Sequence, residues 1–271
     1  MSLPVSLAVF GFLGCGDNLT PPEAPVESAR TCDPDLDGVI RFDELRLTLE
    51  APGSFLVSSD PVEVDVEGTV DDRGVRIFDF SRIELQGAST IRAVSVLDRW
   101  YSGSFPPDAF VLEEPGRAVH AVYVQTSSAL STLGFASREE APAAGKTLIV
   151  YDQPVTVHRY PLRRADRLEG VGVVTTGTLN GLPYSGRDTW SVEVAATGEL
   201  QLPDVILVGA YRLDLEVASE TNPSAGAPLI RRAASFLFEC FGEVAHFEGS
   251  ADDPNNRLGT ITSSRVLTLR R

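Results

Sequence analysis

Asp33, Asp35 and Asp37 stand at alternate positions, Gly38 follows them, and Asp43-Glu44 closes the run. Carboxylates this closely spaced, on a chain free to double back, suit a hard divalent cation. Calcium takes about six to eight oxygens at about 2.3–2.6 Å. Gly38 permits the sharp turn that a Cβ atom hinders. No other stretch names a chemistry so directly. His120, His158 and His246 lie too far apart to share metal-ligand spacing, so each reads as a strand-surface or hydrogen-bonded core histidine. The sequence holds no Gly-x-Ser-x-Gly elbow, phosphate loop or dinucleotide fingerprint. Whether a serine meets one of the histidines in three dimensions is not decided by spacing.

Residues 33–44 resemble the calcium loop of the EF-hand family. On that resemblance Asp33, Asp35 and Asp37 supply carboxylates at loop positions 1, 3 and 5, and Gly38 turns the chain at position 6. Val39 offers its carbonyl, Arg41 marks the position of a bridging water, and Glu44 closes the shell with both oxygens. Ile40 is the apolar residue behind the loop. The implied cofactor is Ca2+. The flanks differ from the family. Thr20 to Val26 carries three prolines and excludes a long entering helix. Leu45, Leu47 and Leu49 alternate with Arg46, Thr48 and Glu50, which predicts a strand after the loop. Asp252 to Asn256 is acidic but lacks the glycine and closing glutamate of a second loop. A lone extracellular loop binds with a Kd on the order of 0.1–1 mM, so the expectation is structural calcium and not signalling.

Residues 1–14 are uncharged and mostly apolar, which predicts an export signal. Phe12-Leu13-Gly14-Cys15 resembles a bacterial lipobox. That resemblance implies cleavage before Cys15, lipidation of Cys15, and stable anchoring through more than one acyl chain. Residues 15–31, rich in Pro, Glu and Ser, then form the tether. The implied place is the outer membrane or cell surface, with the periplasm as the alternative. The membrane is the implied partner, through the anchor.

The formal net charge of −15 argues against nucleic acid and against direct adsorption to anionic lipid. Besides Cys15, the chain has Cys32 and Cys240. In an oxidising compartment these are expected to pair, closing a very long loop and pinning the calcium loop to the C-terminal part of a sheet.

From Leu45 onward the pattern alternates polar and apolar residues between Gly- and Pro-rich turns. Expected strands include 62–67, 75–85, 91–97, 118–125, 148–151, 155–160, 171–179, 189–195, 205–217, 234–241 and 260–269. The fold class is all-β, an antiparallel β-sandwich or barrel-like domain over 45–271, preceded by the EF-hand-like loop at 32–44. Ala141 to Gly145 is the candidate subdivision. Phe236, Phe238, Phe241 and Phe247 pack a core or, less commonly for such residues, line a ligand cavity. Three functional readings follow. The first is a calcium-stabilised, lipid-anchored envelope protein that binds a protein or glycan or serves as structure, and is not an enzyme. The second is an exported hydrolase with structural calcium, needing facing carboxyls or a Ser/His pair. The third is a carrier of a hydrophobic ligand.

Overall fold

The alternation read along the sequence closes into a barrel. The computed structural model describes residues 32–45, 47–58, 60–85, 87–114, 116–221, 226–249, 258 and 261–269. The export signal, Cys15, the tether and Asp252 to Asn256 lie outside the described residues. Sixteen strands are described: β1 (Val39–Ile40), β2 (Pro52–Ser58), β3 (Thr69–Val70), β4 (Arg76–Asp79), β5 (Gly87–Ser95), β6 (Phe110–Glu113), β7 (Val119–Gln125), β8 (Ala129–Ser137), β9 (Leu148–Arg159), β10 (Leu162–Arg163), β11 (Arg167–Leu179), β12 (Leu182–Gln201), β13 (Ile206–Glu220), β14 (Leu229–Phe238), β15 (Gly242–Gly249) and β16 (Ile261–Leu267). Twelve of them form an antiparallel wall in the order β11-β9-β8-β7-β6-β5-β2-β16-β15-β14-β13-β12, and β12 pairs with β11 to close it. Strand β4 adds to β12 in parallel, β3 pairs with β4, and β1 pairs separately with β10. Closure leaves the twelve-strand wall without a free edge.

On β13, Leu213, Leu215 and Val217 face the lumen, and Arg212, Asp214 and Glu216 face outward. The register carries these faces across to Ser235, Ala233 and Arg231 on β14 for the lumen, and to Phe236, Ala234 and Arg232 for the outside. Much of the outer wall is covered. Phe78 and Phe80 cross over Phe236 with ring centroids 5.0 and 5.1 Å away, and Phe80 meets Phe247 at 4.7 Å. Phe236 and Phe247 thus pack an outer core. Arg212, 4% exposed, pins the covering segment, donating to the Val66 carbonyl and, through both Nη groups, to Glu67 at 2.7 and 3.0 Å. Tyr101 and Phe105 cover Val94, Val111 and Val122 in the same way. Where the outside is bare, charges face water. Arg167 pairs with Glu193, Arg187 with Glu220, and Arg232 with Glu216.

Several expected strands change form. Of residues 45–50, the described ones, 45 and 47–50, are not a strand. Gln125 substitutes its side-chain amide for a neighbouring strand, donating to the Leu45 carbonyl and accepting from the Leu47 N–H, and Glu50 turns at φ 64°. Val62 to Glu67 keeps its alternating burial but makes only one isolated bridge, Val62 with Ile261. There the period of two records an extended chain packed on a wall. The two strands expected around Pro154 are one, β9, and its pairing with β8 is irregular near the proline. A proline lacks the donor that a regular ladder needs. At the same irregularity Gly134, opposite Val150, sits at φ 137°, where an added Cβ would lie 2.0 Å from the Ile149 carbonyl oxygen. Strands β8 and β9, on either side of Ala141 to Gly145, are paired neighbours.

Candidate functional site

The loop at 33–44 forms because its aspartates satisfy its own backbone. The Asp37 N–H donates to Asp35 Oδ1 at 3.0 Å, and the Val39 N–H donates to Asp37 Oδ1 at 2.9 Å. Gly38 takes φ 84° and Leu36 φ 53°. A 3-10 turn at Phe42–Glu44 brings Glu44 back, and its Oε2 accepts from the Arg41 N–H at 2.6 Å. Behind the loop Ile40 is fully buried among Leu45, Leu162, Leu213 and Leu237, so the loop's apolar side packs against lumen-facing residues of β13 and β14.

The far end of β14 completes the site. Cys32 is disulfide-bonded to Cys240. The Cys240 N–H donates to the Glu44 carbonyl at 2.8 Å, and Glu239 Oε2 accepts from the Leu36 N–H at 2.9 Å. Asp35, Glu44 and Glu239 each place a carboxylate oxygen within 4.8 Å of the others'. Of the residues expected to ligate, Asp35 and Glu44 converge. Asp33 stands exposed outside the convergence, and Val39 is drawn into β1. Asp37 is turned to Arg41, whose Nη2 lies 2.6 Å from Asp37 Oδ2 while its Nη1 lies 3.4 Å from Asp35 and 3.8 Å from Glu44. Arg41 therefore serves as a counter-ion inside the loop, where the sequence pattern places a bridging water. The donor set is all hard oxygen and fits calcium. Three carboxylates, Asp35, Asp37 and Glu44, share one guanidinium, and Glu239 adds a fourth negative group beside Asp35 and Glu44. Burial pushes the Glu44 carboxyl up, and the charges of Glu239 and Asp35 add to that push against the pull of the Arg41 N–H. Glu239 was not singled out by spacing, although the expected Cys32–Cys240 pair already brought its neighbour to the loop.

A second polar cluster lies inside the barrel, beside a cavity of ≈ 260 Å³. Arg265 donates to Glu243 through both Nε and Nη2, and to Glu114 through Nη1 at 2.8 Å. Arg117 pairs with Glu248 at 2.9 Å and with Glu114 at 3.5 Å. Burial pushes the Glu243 carboxyl up, but the charges of Arg265 and His246 override it and hold the group well below the carboxylate range. Burial also pushes the Tyr123 hydroxyl up to about 12. Ser235, His246 and Glu243 do meet. Ser235 Oγ lies 2.9 Å and Glu243 Oε2 3.3 Å from the same ring nitrogen, His246 Nδ1, and Ser235 Oγ donates to Glu243 at 2.8 Å. A nucleophile relay needs the hydroxyl and the carboxylate on opposite ring nitrogens. This trio instead clamps Glu243. His120, which also lines this cavity, is buried with its Nδ1 2.8 Å from the Tyr101 hydroxyl, and its pKa is lowered to about 4 by burial first and Arg99 second. His158 is lowered to about 4, again by burial.

The fold and loop together define a closed antiparallel β-barrel with an acidic, disulfide-tied loop at its base. No protein family, curated protein or solved structure matches the chain.

Proposed function

We propose that this chain is a calcium-ordered β-barrel of the cell envelope, held at the membrane through Cys15 and acting as a binding or structural module. The observation that carries the reading is the convergence of Asp35, Glu44 and Glu239 oxygens within 4.8 Å on a loop whose Ile40 and Leu45 pack on lumen-facing residues. Asp35, Glu44 and Glu239 would hold the ion, with Asp37 released from Arg41 as a further ligand. An ion at this place supplies the positive charge that the loop lacks. A cation that binds only the folded form stabilises it by RT ln(1 + [Ca]/Kd), about 1.4 kcal/mol at tenfold saturation. The Cys32–Cys240 bridge supports an oxidising compartment, in keeping with export. The test is thermal unfolding in millimolar calcium and in chelator. Calcium should raise the Tm by a few degrees, and Glu44→Gln should remove that shift. An identical melting curve in both buffers refutes the reading.

A further inference from the structure

We propose that the barrel lumen binds a small amphipathic organic anion, its carboxylate head on Arg231 and its apolar body along Phe135 and Trp190. The cavity of ≈ 260 Å³ is far larger than the roughly 10–15 Å³ that one water needs. Its wall has two unlike parts. One part is charged but internally settled. There Arg117 is held by Glu248, Glu114 and Ser263, and Arg265 by Glu243 and Glu114. The other part is apolar, built from Phe135, Trp190, Leu215, Val217 and Ala233.

Arg231 belongs to this second part. It faces inward opposite Val217 in the β13–β14 register and lines the cavity. Its charge reaches Glu248, which Arg117 already holds, but among the described residues it has no ion pair, and its Nε is sealed from solvent without a hydrogen-bond partner. Its guanidinium carbon lies 5.6 Å from the Phe135 ring centroid, and Phe135 stacks on Trp190 with centroids 6.4 Å apart and an interplanar angle of 13°. The adjacent Arg232 points outward and is taken by Glu216 at 2.8 Å. A guanidinium in apolar surroundings is costly to desolvate without an anion beside it. A carboxylate meets its planar fork with two charge-assisted hydrogen bonds. The aromatic and aliphatic wall next to it fits an acyl or aryl body. Glu114, Arg117 and Glu248 also line a second cavity, of ≈ 620 Å³, whose wall includes the surface residues Asp60 and Thr262.

The test is isothermal titration of decanoate, below its micelle concentration, into the intact chain, the R231M variant and the R231K variant. Saturable one-to-one binding is expected. R231M removes both charge-assisted hydrogen bonds and should weaken binding by roughly tenfold or more, with R231K in between. Absence of saturable binding to the intact chain, or unchanged affinity in R231M, overturns the proposal. A second measurement leaves Arg231 in place. In a W100F variant Trp190 is the one remaining tryptophan. An ω-brominated decanoate should quench its fluorescence in step with binding, and full fluorescence at saturation overturns the placement.

Discussion

Two groups of carboxylates in this molecule meet arginine, and they end in opposite electrostatic states. In the lumen, burial would raise Glu243, yet Arg265 and His246 hold it well below the carboxylate range. In the loop, burial raises Glu44, the charges of Glu239 and Asp35 raise it further, and Arg41 does not offset them. Arg265 is 11% exposed along its side chain and fixed by two glutamates, whereas Arg41 is 45% exposed and shared among three acids. The chain supplies the counter-charge where solvent cannot reach and leaves it short where an ion can arrive. That difference separates carboxylates that hold a fold together from carboxylates placed to take a cation.

The comparison breaks first where it is covalent. Cys32 and Cys240 are separated by 208 positions, and a bridge over so long a loop contributes about 5 kcal/mol in the chain-entropy account. Cys240→Ser should therefore give the largest loss in denaturant-derived stability, and it should also abolish any calcium shift by releasing Glu239 from the loop. Loss of stability with the calcium response intact would show that Glu239 is not a ligand. Next comes the lumen. Glu243→Ala leaves Arg265 with Glu114 alone and should cost about 3–5 kcal/mol, the range for a broken buried pair. The sign with pH follows from the lowered folded pKa of Glu243. Its stabilisation is fully present above the unfolded glutamate value of about 4.3 and is lost as pH falls toward the folded value. Stability measured between about pH 5 and pH 2 should fall in the wild type and fall less steeply in Glu243→Gln.

The loop and the lumen were unequally legible in the sequence. Asp35, Gly38, Ile40 and Glu44 are close in the chain, so spacing alone placed them, and the odd cysteines pointed to the bridge. Parts of the barrel wall were also readable, because β7 and β13 alternate with apolar residues inward or against a cover, whereas on β11 Val171 and Val173 face water and Gly170 and Gly172 take the covered face. Strand β15 was not. In Gly242 to Gly249, Glu243, His246 and Glu248 face inward and Phe247 faces outward. That reverses the pattern a water-exposed strand shows, because here the outside is covered by Phe80 and the inside is polar. The lumen cluster joins residues from the β6–β7 connection, β14, β15 and β16, and no spacing rule encodes such a meeting. The ion pairs of Arg41 were hidden for a related reason. A ligand template fixes positions but not whether a long side chain folds back among its neighbours.

Smaller changes sharpen the loop side of the comparison. Gly38 holds φ 84°, and a Cβ built there meets nothing within 4 Å. Gly38→Ala should therefore cost only the backbone strain, about 1–2 kcal/mol, and leave packing intact. A larger loss by thermal unfolding would mean that the turn is held by contacts yet to be accounted for.

The smallest effect on stability discriminates most. Arg41 is exposed and its ion pairs are screened, so Arg41→Gln in chelator should barely move the melting curve. Removing it frees Asp35, Asp37 and Glu44 together, so the same variant should bind calcium a few-fold more tightly by isothermal titration. The two groups of carboxylates then part completely. Breaking the arginine pair in the lumen costs the barrel stability, and losing the arginine from the loop improves a site. Weaker calcium binding in Arg41→Gln would mean that the guanidinium organises the loop and does not compete for it, and the distinction drawn between the two clusters would fail.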